Sequence, residues 1–196
     1  MFAHYNYLEK RKAGSDSMEE AVIIAKMRSG TTDVFTEIVE KYQVPILRYL
    51  FRLTGNYQLA QDLAQDTFIE AYKSILKTNS DLQFRAWLYR IATNNALQYH
   101  RHKRVLSFLS FDSNKIEEIP SSSDPSEITD EKIVIRETLS KVNPKHRTSL
   151  VLHYVEGFKY REIAEILGIT EEGVRKRVAR GKEEFRKHYG RGGDAP

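Results

Sequence analysis

Residues Ile116 to Asp130 read IEEIPSSSDPSEITD. Two prolines, clustered serines and recurring carboxylates cannot bury enough apolar surface to offset the entropy of ordering, so this stretch reads as an extended or disordered connection. Its position divides a 196-residue chain into two small bodies, each near the lower size at which a domain still buries a core of its own.

On both sides the apolar residues recur at helical spacing. Ser17-Met-Glu-Glu20 has the pattern of a capping box and opens a short helix that stops near Ser29-Gly30. A second helix starts near Asp33, with Val34, Phe35, Ile38, Val39 and Tyr42 on one face, and continues to Gly55 past Pro45, which is expected to kink or interrupt it. In the third, Ala60, Leu63, Ala64, Thr67, Phe68, Ala71, Tyr72 and Ile75 form a stripe expected to be buried. Asp62, Gln65, Asp66 and Ile69 share another face. A fourth runs from about Phe84 through FRAWLYRIATNNALQYHRHKR, with a bend expected near Asn94-Asn95, two poor helix formers.

Beyond the connection, helical periodicity resumes at Asp130, breaks at Asn143-Pro144 and resumes again. No β-hairpin signal is present. The fold expected is all-α: an N-terminal helical bundle and a C-terminal helix-turn-helix domain joined by a flexible linker. The boundaries are 1–17 for an N-terminal extension, 18–104, 105–130 for the acidic linker, 131–190, and 191–196 for a tail.

The C-terminal segment YREIAEILGITEEGVRKRVARGKEEFR carries the sharpest pattern. Tyr160, Ile163, Ala164 and Leu167 make one apolar face, Gly168 ends that helix, and Thr170 caps the next, although Gly173 stands where a complete capping box wants Glu or Gln. Val174, Val178, Gly181 and Phe185 face inward, which turns Lys176 and Arg180 outward. Two short helices joined by a tight turn, the second basic outward, match a helix-turn-helix that lays its second helix in the DNA major groove. They also match a hairpin with a solvated face.

The net charge of +4 is modest, so its distribution matters more than its total. From Arg85 to Arg104 there are five Lys or Arg and no acid, and from Gly173 to His188 seven bases against two acids. In the first block Phe84, Trp87, Tyr89 and Tyr99 are interleaved with cations, a composition suited to unpaired nucleic acid, although for Trp87 a core position outweighs base contact. Asp62, Asp66 and Glu70 at helical spacing are better read as a solvated or partner-facing stripe than as a metal site. With no cysteine, no ligand constellation among the histidines and no apolar run near the ~20 residues a membrane helix needs, no metal, cofactor or membrane insertion is expected. A cytoplasmic, non-enzymatic protein fits these constraints.

DLAQDTFIEAY (Asp62–Tyr72), FRAWLYRIATNNA (Phe84–Ala96) and Tyr160–Arg186, in that order and separated by an acidic linker, together resemble bacterial sigma-70 family RNA polymerase sigma factors of the extracytoplasmic-function group. The resemblance implies a transcription initiation factor that binds core RNA polymerase, reads the minus-35 and minus-10 promoter elements and assists promoter opening. It implies that Asp62, Gln65, Asp66 and Ile69 dock on the clamp helices of the β′ subunit. It places Asn94, Asn95, Gln98, Trp87, Arg101, Lys103 and Arg104 at the minus-10 element, with Asn94 at the start of a base-capturing loop. It further implies that Arg175, Lys176, Ala179 and Arg180 sit nearest the minus-35 bases, with Tyr160, Arg161, Lys145 and Arg147 against phosphates. By the same resemblance the linker threads toward the RNA path and an anti-sigma factor is an implied partner. A stand-alone helix-turn-helix repressor with a helical sensor domain is the alternative reading; it leaves the Trp87 block and the Asp62 face without a role.

Overall fold

The computed structural model describes residues 22–27, 29, 31–75, 77, 83–109 and 130–189. Among them every regular element is helical: α1 (22–27), a 3-10 turn at Thr32–Val34, α2 (Phe35–Thr54), α3 (Tyr57–Ile75), α4 (Phe84–Leu109), α5 (Asp130–Lys141), α6 (Pro144–Tyr154), α7 (Tyr160–Leu167) and α8 (Glu171–Tyr189). The Ser17–Glu20 capping box and most of the acidic linker lie outside the described residues.

Helices α2, α3 and α4 pack on one another, and their buried faces follow the apolar periodicity: Ile38, Ile46, Leu50, Ala60, Leu88 and Ala92 are sealed from solvent. Tyr49 is buried among them, and its hydroxyl meets Thr93 Oγ1 at 2.7 Å, so the one polar group it carries inward is satisfied. Gly55 ends α2 at φ 70°, a left-handed turn that glycine adopts without Cβ strain. Pro45 neither stops nor divides α2, which is one helix of 20 residues with the proline on its exposed side. The bend expected at Asn94-Asn95 is also absent: α4 runs unbroken for 26 residues, five of them beyond the boundary expected at 104. Asn95 supports this by donating its side-chain amide to Thr67 Oγ1 on α3.

In the C-terminal half, α8 packs on α5, α6 and α7. Asn143 caps α6, its side chain accepting the Lys145 N–H at 3.0 Å, and Pro144 occupies the first turn, where its missing N–H costs nothing. Gly181 lets α8 come close to α6: a Cβ there would stand 3.2 Å from the His146 carbonyl oxygen.

The two helical halves touch each other. Helix α7 packs on α4, and α6 packs on α2 and α4, so the buried residues of both halves form one continuous cluster.

Candidate nucleic-acid interface

The turn between α7 and α8 is built from local chemistry. Gly168 takes φ 61° and closes α7, and Thr170 Oγ1 accepts the Gly173 N–H at 3.1 Å at the start of α8. A Cβ at residue 173 would lie 3.3 Å from that oxygen, a tight contact with a side-chain atom. Val174, Val178 and Gly181 are buried, so the opposite side of α8 faces solvent and presents Arg175, Lys176, Ala179 and Arg180 together. Arg175 donates to Glu171 at 2.8 Å and Lys176 pairs with Glu172 at 3.3 Å, both one turn back. The Glu171 hydrogen bond favours the charged form of Arg175. Glu171 and Glu172 also sit in the first turn, where the helix dipole favours acids.

Lys145 and Arg161 are exposed and Tyr160 half-exposed, its ring 4.5 Å from that of His153. Arg147 is placed differently from the expectation that it faces phosphate. It is 6% exposed, and its guanidinium donates to the carbonyl oxygen of Leu53 at the end of α2, 2.7 Å away. Burial pushes its pKa down to about 10, which leaves it cationic near neutrality. In this arrangement it cannot reach DNA.

On α4, Asn94, Gln98 and Arg101 are exposed and Asn95 half-buried. Asn94 lies within a continuous helix, not at the start of a loop. Trp87 is 8% exposed and stacks beside Phe84 at 5.4 Å, a core position. Lys103 and Arg104 lie on α4, with side chains outside the described residues.

On α3, Asp62, Gln65, Asp66 and Ile69 are all exposed along one face. Of these four, Gln65 and Ile69 also line a groove of about 530 Å³ between α2 and α3, together with Phe35, Val39, Leu47, Phe68 and Tyr72 among others. Ile69 is 44% and Tyr72 45% exposed, so Tyr72, expected in the buried stripe, instead forms part of this open apolar surface. Helical periodicity put Tyr72 on the inner side, but its ring meets that of Phe35 at a steep angle, centroids 5.3 Å apart, and lines the open groove with it. The signal available in sequence was the apolar Ile69 among polar neighbours.

No group of three or more His, Cys, Asp or Glu side chains among the described residues is placed to hold a metal ion. No helix among them is long and apolar enough to cross a membrane. The arrangement offers three solvent-facing surfaces: a basic helix face, a polar helix face and a largely apolar groove beside the α3 face that carries Asp62 and Asp66.

Residues 38–105 match the family model for sigma-70 region 2, and residues 132–185 that for sigma-70 region 4. The chain is 32% identical over 174 residues to the ECF RNA polymerase sigma factor SigW of Bacillus subtilis, covering 84% of this chain and 93% of that protein. It is 30% identical to the RNA polymerase sigma factor CarQ of Myxococcus xanthus, covering 84% and 94%. Among solved structures, the sigma factor RpoE of Bartonella quintana, in complex with the anti-sigma factor NepR, superposes with a TM-score of 0.66 at 21% identity, covering 79% of this chain and 95% of that one. CnrH, in complex with the cytosolic domain of CnrY, superposes with a TM-score of 0.63 at 23% identity, covering 85% and 94%.

Proposed function

The chain belongs to the sigma-70 family as an extracytoplasmic-function RNA polymerase sigma factor, a transcription initiation factor that directs polymerase to promoters, and from this we propose how its surfaces divide that work. The units are the helical bundle of residues 18–104 and the helix-turn-helix half of residues 131–190.

The α3 face with Asp62, Gln65, Asp66 and Ile69, together with the adjoining groove, docks on the β′ clamp helices of core polymerase. The observation that carries this is an open apolar groove, lined by Gln65 and Ile69, beside the exposed α3 face that also carries Asp62 and Asp66, a surface suited to a partner helix with one apolar side. On α4, Asn94, Asn95, Gln98 and Arg101 face the minus-10 element, extended by Lys103 and Arg104. On α8, Arg175, Lys176, Ala179 and Arg180 read the minus-35 element, with Lys145, Arg161 and Tyr160 against phosphates. Arginine pairs bidentately with guanine, while Ala179 offers only an apolar contact such as that to a thymine methyl. Trp87 supports α4 from the core.

Polymerase is needed because separating several base pairs at ~1.4 kcal/mol per step costs more than one or two captured bases return at ~1–3 kcal/mol each. The protein acts by binding, in the cytoplasm where polymerase works, and an anti-sigma factor opposes it, as NepR accompanies RpoE in the solved complex.

Pull-down with core polymerase tests the assignment. Ile69→Glu is expected to abolish association, and Arg180→Ala to leave it intact. Equal retention of both variants would move the docking surface elsewhere.

A further inference from the structure

The outward face of α8 is not uniformly basic. Its first turn carries Glu171 and Glu172, both exposed, and each reaches one turn forward to a cation: Glu171 to Arg175 at 2.8 Å and Glu172 to Lys176 at 3.3 Å. Glutamate four residues before its cation is the favourable order on a helix, and the Thr170 cap fixes the turn from which both acids extend. Farther along, the exposed Arg180 and Lys187 pair with no carboxylate among the described residues. Charge is therefore neutralised at the N-terminal end of α8, where a recognition helix meets base edges, and left bare toward the other end.

We propose that Glu171 and Glu172 are specificity-determining residues that screen Arg175 and Lys176 from phosphate and so reserve them for base edges. This rests on the reading of α8 as the minus-35 helix, and adds to it two residues of the opposite charge.

An exposed pair exchanges readily, so the outcome depends on what takes the carboxylate's place. A phosphate brought to Arg175 meets the carboxylate left alongside it, and like charges in one site repel. A guanine edge brings neutral acceptors instead. Arginine carries more N–H donors than one carboxylate uses, so Arg175 can hold Glu171 through Nη2 and still offer a pair of donors to guanine O6 and N7. The Lys176 ammonium likewise has donors to spare for a base acceptor while it keeps Glu172. A carboxylate displaced in the groove also has a partner of its own in the cytosine amino group, a donor that the phosphate backbone lacks. Acids at these positions weaken binding to any duplex, and most of all where no matching base is present, so discrimination is gained as affinity is lost.

The test uses holoenzyme assembled from core polymerase and the full chain, bound to two duplexes: a promoter that the chain activates, and the same fragment with its minus-35 element scrambled. Glu171→Gln and Glu172→Gln keep the side-chain shape and remove the charge. Each is expected to tighten binding to the scrambled duplex roughly three- to tenfold and to the promoter less than about twofold, so discrimination falls. On the scrambled duplex the slope of log affinity against log salt should steepen by about 0.9, the mark of one more phosphate neutralised. In an Arg175→Ala background Glu171→Gln should no longer change discrimination, because Glu171 acts through that arginine. Glu171→Asp, which keeps the charge, should discriminate nearly as the parent does. Glu183→Gln removes an exposed acid of the same helix that has no cation partner among the described residues, and should move both duplexes by the same factor. Unchanged discrimination in both Gln variants at positions 171 and 172, equal tightening on both duplexes, or a loss that persists in the Arg175→Ala background would overturn the screen. A parent chain that itself fails to distinguish the duplexes would overturn the minus-35 reading of α8 and the screen with it.

Discussion

The junction between the halves and the outward face of α8 both set arginine beside glutamate, yet the two regions hold these charges under different conditions. At the junction Arg147 is buried against the Leu53 carbonyl, and the Glu156 carboxylate is only 10% exposed beside Arg52. On α8, Arg175 and Lys176 reach their glutamate partners while more than half of each side chain remains in water. An exposed pair is worth little and is easily exchanged for a phosphate or a base edge, whereas a buried cation stripped of its acceptors is costly. Identical residue types thus serve cohesion in one region and recognition in the other, and burial decides which.

The largest effect should come from the junction. Arg147→Met removes a charged donor from the end of α2 and is expected to cost about 2–4 kcal/mol in urea unfolding, without the salt dependence of a DNA contact. Next comes the recognition face: Lys176→Ala or Arg180→Ala should each weaken minus-35-dependent transcription by about 1–3 kcal/mol, roughly five- to 150-fold, with the unfolding midpoint unchanged. If Arg147→Met instead acted like these two, the contrast between the regions would fail.

A smaller effect sharpens the comparison within the C-terminal half. Burial alone would raise the Glu184 carboxyl, but the Asn143 backbone N–H at 2.9 Å and the His146 ring at 2.8 Å outweigh it and hold it below its ordinary value of 4.5. A carboxyl depressed in the folded state contributes stability that is complete above 4.5 and is lost as pH falls through its lower native value. Glu184→Gln is therefore expected to flatten the loss of stability below about pH 4.5, followed by thermal melts across the acid range. The smallest effect is expected from Glu171→Ala, within about 0.5 kcal/mol of the parent in stability, because its pair with Arg175 is solvated.

Much of this was legible because helical periodicity and punctuation are local. The inward stripe of α8, the Gly168 stop and the Thr170 cap follow from residues within two turns of one another, and Asp62, Gln65, Asp66 and Ile69 fall on one exposed face by spacing alone. The errors arose where tertiary context outweighed local preference. Asn94 and Asn95 are weak helix formers, but buried Thr93 and Ala96 on either side, with the Asn95 bond to Thr67, hold α4 straight. Arg147 sits in a basic segment and looked like a surface residue, because nothing in the sequence places it beside Leu53, 94 positions away. The junction itself was invisible for the same reason: Arg85, Tyr89 and Glu156 meet across about 70 residues, and no spacing rule reaches that far.

The most direct measurement is run-off transcription with bacterial core RNA polymerase on promoter fragments from the source genome, with and without the full chain. The account predicts discrete transcripts that appear only when the chain is present, and that are lost with Ile69→Glu through failed assembly and with Arg180→Ala through failed promoter choice. Transcripts identical in both reactions, or promoter binding by the chain alone as tight as with polymerase, would contradict it.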